Sequence, residues 1–139
     1  MMMELKCVMV IDEELPMGII ANTAAILGVT MGKQMPETVG SNVIDKTGNV
    51  HLGIVNLPIP ILKGQAALLK ALREKLYEPE FAEMTVVDFS DVAQGCKAYD
   101  EFIDKIAEVQ GNELQYFGLA ICGTKKKVNK LTGNMPLLR

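Results

Sequence analysis

Short apolar runs alternate along the chain with stretches in which apolar positions recur every three to four residues. The first run, Leu5-Lys6-Cys7-Val8-Met9-Val10-Ile11, is rich in apolar and β-branched residues and predicts a strand buried on both faces. Asp12-Glu13-Glu14 ends it. Pro16 then stands where a helix can begin, since its fixed φ and missing N–H are harmless in a first turn. That helix is predicted from Pro16 to about Gly32. Met17, Ile19, Ile20, Ala24, Ile26, Leu27 and Val29 make it apolar nearly all round, so it needs cover on most sides, from its own domain or from a partner chain. Gly18, Ala21, Ala25, Gly28 and Gly32 recur at helical spacing as a stripe with almost no side chain. Gly28 lowers helix propensity by about 1 kcal/mol relative to Ala, which packing must offset. Close packing against a sheet would do so, and so would a subunit interface.

The next segment reads as β. Residues 39–44 and 50–55 flank Asp45-Lys46-Thr47-Gly48-Asn49, a turn-rich stretch that predicts a hairpin. The two prolines of Pro58-Ile59-Pro60-Ile61-Leu62 restrict that run to an edge strand or an extended lead-in. Residues 64–77 then show helical spacing, with Leu68, Leu69, Leu72 and Leu76 on one face and Lys70, Arg73 and Lys75 outside. Residues 82–89 hold a strand centred on Met84-Thr85-Val86-Val87. Ser90 or Asp91 can cap the following helix, whose Val92, Cys96, Tyr99, Ile103 and Ile106 keep a 3.6-residue period until Gln110-Gly111-Asn112. Residues 114–121 form a last strand, and the tail from Lys125 is basic. Strands alternating with helices predict a three-layer α/β/α domain with a mixed β-sheet.

Composition narrows the class. The 139 residues suffice for one domain, expected over residues 1–139, and 49% apolar against 22% charged residues indicate a globular chain. A net charge of −3 and a pI of 5.2 leave no global basic field to attract a polyanion. Cys7, Cys96 and Cys122 are an odd, widely spaced set, which argues against a disulfide framework or a structural zinc site and for three small buried hydrophobes. No cofactor or metal is expected. Met1-Met2-Met3-Glu4 lacks the basic region and long apolar run of a leader. The most apolar stretch, residues 19–31, is too short to span a bilayer. A cytoplasmic location without membrane contact is the expectation.

Candidate chemistry is sparse. Asp12, Glu13 and Glu14 sit at a strand's end before a helix N-terminus, where they either complement the helix dipole or supply a cation site or general base. Asn22 and Thr23 are the polar residues of the greasy helix. A buried amide without partners costs about 1–3 kcal/mol, so Asn22 should bind backbone or face a pocket. Asp88 ends its strand as a further acid. Lys125, Lys126, Lys127 and Lys130 are the one dense positive run, a solvated surface or a salt-sensitive nucleic-acid contact. His51, the single histidine, reads as an ordinary strand residue.

Three separated pieces resemble peptidyl-tRNA hydrolase of type II. Val8-Met9-Val10-Ile11-Asp12-Glu13-Glu14-Leu15-Pro16-Met17-Gly18 with Thr23-Ala24-Ala25 resembles that family's first strand and its DLxMxxGKxAAQ helix. Leu119-Ala120-Ile121 before Gly123 is similar to its last strand. Val128, Lys130 and Leu131-Thr132-Gly133-Asn134-Met135-Pro136-Leu137-Leu138 look like its VTGHLKLL ending. The opening, residues 12–25, looks closer still to an uncharacterised bacterial family, domain of unknown function 2000. The resemblance implies a peptidyl-tRNA hydrolase II-like fold and makes Asn22, Thr23 and Thr132 ligand-binding candidates. The family's lysine, however, falls near Ala21 or Asn22, and neither residue can place a positive charge where negative charge develops. Asp88 stands for the aspartate of the family's central DAG segment. Two readings of function follow. One is a homodimeric binding or interaction module for a small molecule or tRNA. The other is a divergent hydrolase of an acyl ester or amide such as peptidyl-tRNA, with Asp12, Glu14 or Asp88 as general base and Asn22 and Thr23 orienting water. A third, narrower reading is nucleic-acid binding through the C-terminal lysines.

Overall fold

The computed structural model describes residues 4–139. Met1-Met2-Met3, on which the reading of the leader largely rests, lie outside the described residues. Strand β1 (Leu5–Asp12) is followed by helix α1 (Met17–Gln34), a small hairpin of β2 (Val43–Ile44) and β3 (Val50–His51), and β4 (Ile61–Gly64). Then come α2 (Ala66–Leu76), β5 (Thr85–Ser90), α3 (Asp91–Gln94), α4 (Tyr99–Ala107), β6 (Tyr116–Thr124) and α5 (Lys125–Thr132).

Four strands form one sheet in the order β4-β1-β6-β5. β4 runs parallel to β1, and the β1–β6 and β5–β6 pairs are antiparallel, so the sheet is mixed as expected. β4 is an edge strand, as its two preceding prolines require. Its outer side is covered by the C-terminal segment: Lys63 N donates to Pro136 O at 3.0 Å and Leu138 N to Ile61 O at 2.8 Å.

β1 is buried on both faces from Cys7 to Asp12. Because successive strand side chains point to opposite faces, β1 and β6 feed two cores. Val8, Val10, Leu119 and Ile121 meet Leu69, Leu72 and Leu76 of α2 and Val128 and Leu131 of α5. Cys7, Met9, Ala120 and Cys122 meet Leu27 and Met31 of α1.

α1 is seated differently from its sequence pattern. Only Thr23, Leu27 and Met31, one residue per turn, are buried. Met17 and Val29 are 85% and 76% exposed. The helix is therefore covered on one side, not on most sides. The Gly/Ala stripe is not packed tightly on the sheet either: a Cβ built on Gly18 or Gly32 meets nothing within 4 Å, and one on Gly28 meets only the tip of Met9 at 3.8 Å. The residue that admits α1 lies on the sheet. A Cβ on Gly118 of β6 would stand 2.6 Å from Thr23 Cγ2 and 3.1 Å from Leu27 Cδ1.

Three further expectations are corrected. The single helix predicted from Val92 is broken into α3 and α4, with Gly95 ending α3 and Ala98 in extended backbone (φ −128°, ψ 150°) before α4. Glycine lowers helix propensity there, and Lys97 N turns to the Glu101 carboxylate at 3.3 Å instead of extending the first helix. The basic tail, with Lys125, Lys126 and Lys130 exposed as a solvated run would be, also begins a helix, capped by Thr124 Oγ1, which accepts from Lys127 N at 3.4 Å; this adds to the surface reading without overturning it. Cys7 and Cys122 are not free thiols. They are direct cross-strand partners in the β1–β6 ladder, with Cα atoms 4.2 Å apart, and form a disulfide that joins residues 115 apart in sequence. Spacing in sequence carries no record of strand register, which is why the pair was invisible. Cys96, expected to be buried on a helix, is half-buried in the α3–α4 break.

Gly118→Ala should lower stability by about 1–3 kcal/mol, as overpacking of a filled core does, read as a fall in Tm with far-UV circular dichroism unchanged. An unaltered Tm would show that α1 can retreat from the sheet at no cost. Alkylation of the denatured, unreduced chain should label one cysteine, and alkylation after reduction three, by intact mass. Three labels without reduction would remove the disulfide.

Candidate functional site

The residues singled out by sequence do not converge. Asp12 is buried at the end of β1, where its Oδ1 accepts the Glu14 N–H at 3.0 Å and shapes the turn into α1. Glu14 itself is exposed. Asn22 lies on the exposed side of α1 and donates to Gln94 Oε1 at 3.4 Å. Thr23, one residue on, is fully buried against the sheet, and its Oγ1 has no hydrogen-bond partner among the described residues. Thr132 is buried in the last turn of α5 on the opposite face of the sheet, its hydroxyl donating to Val128 O at 2.8 Å.

Asp88 belongs to that opposite face as well. Val87 and Phe89 pack on the α1 side, so alternation turns the Asp88 carboxylate toward α2. There it accepts from Arg73 Nε at 2.8 Å. The Arg73 guanidinium also lies 4.0 Å from the centre of the Tyr77 ring. Tyr116, buried nearby, has its phenol pushed up to about 12, first by burial and then by the Asp88 charge. Asn22 and Asp88 therefore share no cleft.

The lysine run is largely engaged locally. Lys130 Nζ meets Glu80 Oε1 at 2.6 Å, Lys127 Nζ donates to Glu80 O at 2.8 Å, and Lys125 Nζ lies 3.8 Å from Glu4. The Lys130 hydrogen bond holds the Glu80 carboxyl below its usual range; desolvation is the next largest influence and opposes it, and the charges of Lys130, Lys127 and Lys75 add to the lowering. Lys126 is exposed. These contacts are at the surface and individually weak. They lie across the sheet from α1. His51 pairs with Asp45 Oδ2 at 2.7 Å on the hairpin, far along the chain from any other acid.

What the fold does assemble is a cavity of about 490 Å³ between α1, β5 and the α3–α4 break. Its walls are Ile26 and Thr30 of α1, Val87 and Phe89 of β5, Ala93 of α3, and Phe102 of α4. Cys96, Lys97 and Tyr99 border it from the break and the start of α4, and Asp88 borders it along the strand. Such a volume lies in the range of small-molecule sites, which are mostly apolar with a few placed polar groups. The thiol of Cys96 donates to Val92 O at 3.2 Å. Lys97 is the basic residue among those that line the cavity. Sequence reasoning missed this site because it exists only through the interruption at Gly95; an uninterrupted helix would have pointed Cys96 and Lys97 about 100° apart around its axis. The available signal was Gly95 itself, inside an otherwise periodic stretch.

Among the described residues no group of three or more His, Cys, Asp or Glu is placed to hold a metal ion, and no helix is long and apolar enough to cross a membrane.

A mixed four-stranded sheet with helices and an apolar cavity beside its β5 edge defines a small α/β protein. The chain belongs to the family described as protein of unknown function (DUF2000), whose model matches residues 5–139. The solved structure of Atu0240, a protein of unknown function from Agrobacterium tumefaciens str. C58, is similar, with a TM-score of 0.87 at 18% identity over 98% of each chain. That likeness shows a shared fold. No curated protein matches the chain.

The orphaned hydroxyl of Thr23 is an internal test of what that residue does. An isosteric Thr23→Val change removes an unpaired buried polar group, so it should leave stability unchanged or raise it by about 1 kcal/mol, read as Tm. A loss of 1 kcal/mol or more would mean that the hydroxyl has a partner.

Proposed function

We propose that the protein is a homodimeric binding module, folded as one domain over residues 1–139 in a three-layer peptidyl-tRNA hydrolase II-like arrangement, and that the cavity beside β5 takes a small, largely apolar acid. The lining of that cavity carries this reading. Ile26, Val87, Phe89, Ala93 and Phe102 offer an apolar body-sized space, and Lys97 offers one positive charge at its border. An apolar molecule with a single carboxylate or similar anion matches that arrangement, since burial supplies affinity and the ammonium fixes orientation.

Binding is favoured over hydrolysis by where the acids are engaged. Cleaving an acyl ester or amide needs a base within hydrogen-bond reach of a water and a charge to meet the developing oxyanion. The Asp12 carboxylate accepts the Glu14 N–H, and the Asp88 carboxylate accepts from Arg73 on the other face of the sheet. Ala21 and Asn22, near which the resembling family's lysine falls, are both neutral, and Asn22 pairs with Gln94. A tRNA ligand is disfavoured by the acidic pI and by the local acceptors that hold Lys125, Lys127 and Lys130. The homodimer is supported by the apolar, nearly uncharged side of α1 that the chain leaves open.

The probe is 1-anilinonaphthalene-8-sulfonate, an apolar body with one anion. Cys96, the one cysteine outside the disulfide, reports occupancy of the cavity it borders. The probe should slow N-ethylmaleimide labelling of Cys96 at least fivefold. Ala93→Phe, which puts a ring into the cavity, should weaken that protection severalfold, and Lys97→Ala should weaken it as well. Labelling that ignores the probe would overturn the cavity reading. Turnover of peptidyl-tRNA above a no-protein control would overturn the preference for binding.

A further inference from the structure

Residues 39–55 leave the body of the protein as an arm. Its base is pinned: Asn56 N donates to Thr38 O at 2.7 Å, Gly40 N donates to Ile54 O at 2.8 Å, and Val39 bridges Val55. The two legs touch so closely at Gly40 and Gly53 that a Cβ on Gly53 would collide with the Gly40 carbonyl. Its tip is also organised. Asp45 Oδ1 accepts from Thr47, Gly48 and Asn49 N–H at 2.9–3.1 Å, and Gly48 takes the positive φ (102°) that the turn requires. The His51 ring, with these backbone donors, holds the Asp45 carboxyl below its usual range.

Between base and tip the arm has no cover. Val43, Ile44, Val50, Leu52 and Ile54 are 59%, 71%, 62%, 80% and 79% exposed, and every residue from Ser41 to Leu52 is exposed on both faces of the ribbon. A two-stranded ribbon is marginal by itself in water. The arm and its base leave on the order of 700 Å² of apolar residue surface in solvent, more than a monomer's ordinary patch and close to what one partner contributes to a standard interface.

We infer that this arm lies along α1 of a second copy of the chain, and that the exchange is reciprocal. The inference deepens the homodimer proposed above and rests on it. Three observations select a second copy as the occupant. The surface the arm needs is present on the same chain: Met17, Ala21, Ala25 and Val29 form an exposed face of α1, which carries no charged residue before Lys33. The arm's own charges, Asp45, Lys46 and His51, sit at or beside its tip, so an apolar seat leaves none of them buried. The lengths are compatible. An 18-residue helix is about 27 Å long, and a six-residue leg reaches about 20 Å, so the arm fits within the length of α1. The arm departs just beyond the C-terminal end of α1. With two α1 helices antiparallel about a two-fold axis, each arm starts beside the N-terminal half of the partner helix and runs over its small-residue face, where Gly18 and Gly32 leave open space. Two such contacts together reach the area of a stable dimer.

Sedimentation of the full chain between 1 and 100 µM tests this. The unaltered protein should run at twice its 15.2 kDa chain mass. Ile44→Asp with Leu52→Asp should raise the dimer dissociation constant at least 100-fold with circular dichroism unchanged, and Val29→Arg on α1 should do the same. If the double variant fails to fold, replacement of residues 42–52 by two glycines gives the same readout. A monomer at 100 µM overturns both the arm and the homodimer. A dimer that survives loss of the arm yet dissolves with Val29→Arg overturns the arm alone. A dimer that loses the arm variants but tolerates Val29→Arg overturns the seat on α1. Cavity protection of Cys96 is independent of all three, so the ligand reading stands or falls separately.

Discussion

The antiparallel ladder between β1 and β6, running from Leu5 opposite Thr124 to Ile11 opposite Gly118, is the constraint on which the remaining structure depends. Both strands are buried on both faces, so each residue of the ladder commits its neighbour to the other side. Val8, Val10, Leu119 and Ile121 oblige α2 and α5 to cover one face, and Cys7, Met9, Ala120 and Cys122 oblige α1 to cover the other. A slip of one residue would exchange the two cores and carry Gly118 away from Thr23 and Leu27, leaving α1 no place to approach. The disulfide between Cys7 and Cys122 ties the same register covalently.

That ladder also sorts the polar groups. Alternation in β5 sends Asp88 to the α2 side, where Arg73, Tyr77 and Tyr116 surround it, and leaves Val87 and Phe89 to wall the cavity on the α1 side. An ion pair of this kind, half-shielded and stacked on an aromatic ring, is a structural use of an acid whose position suggested chemistry. The cavity is left with mostly apolar walls and with Thr30, Cys96, Lys97 and Tyr99 as polar residues along its border.

Much of the candidate site was beyond reach of sequence reasoning for a related reason. Asp12, Asn22, Thr23 and Asp88 are polar residues at the right kind of place, at strand ends and on a greasy helix. Whether two of them meet depends on which face each one points to and on register, neither of which is recorded in spacing. Cys96 read as a core residue and Lys97 drew no attention, and the two became cavity neighbours only because the helix stops at Gly95 and restarts at Tyr99.

Local patterns did determine several things outright. The doubly buried β1, the helix starting after Pro16, the edge position of β4 behind Pro58 and Pro60, and the helical face of Leu69, Leu72 and Leu76 all follow from near-neighbour physics: periodicity, the missing N–H of proline and the direction of side chains. Tertiary structure decided what depends on partners distant in the chain. It set the pairing of Cys7 with Cys122, the close approach of Thr23 to Gly118, and the one-sided cover of α1. It also left the arm of residues 39–55 standing in solvent, since a hairpin signal specifies its turn and its legs but carries no information about the surface on which the legs will rest.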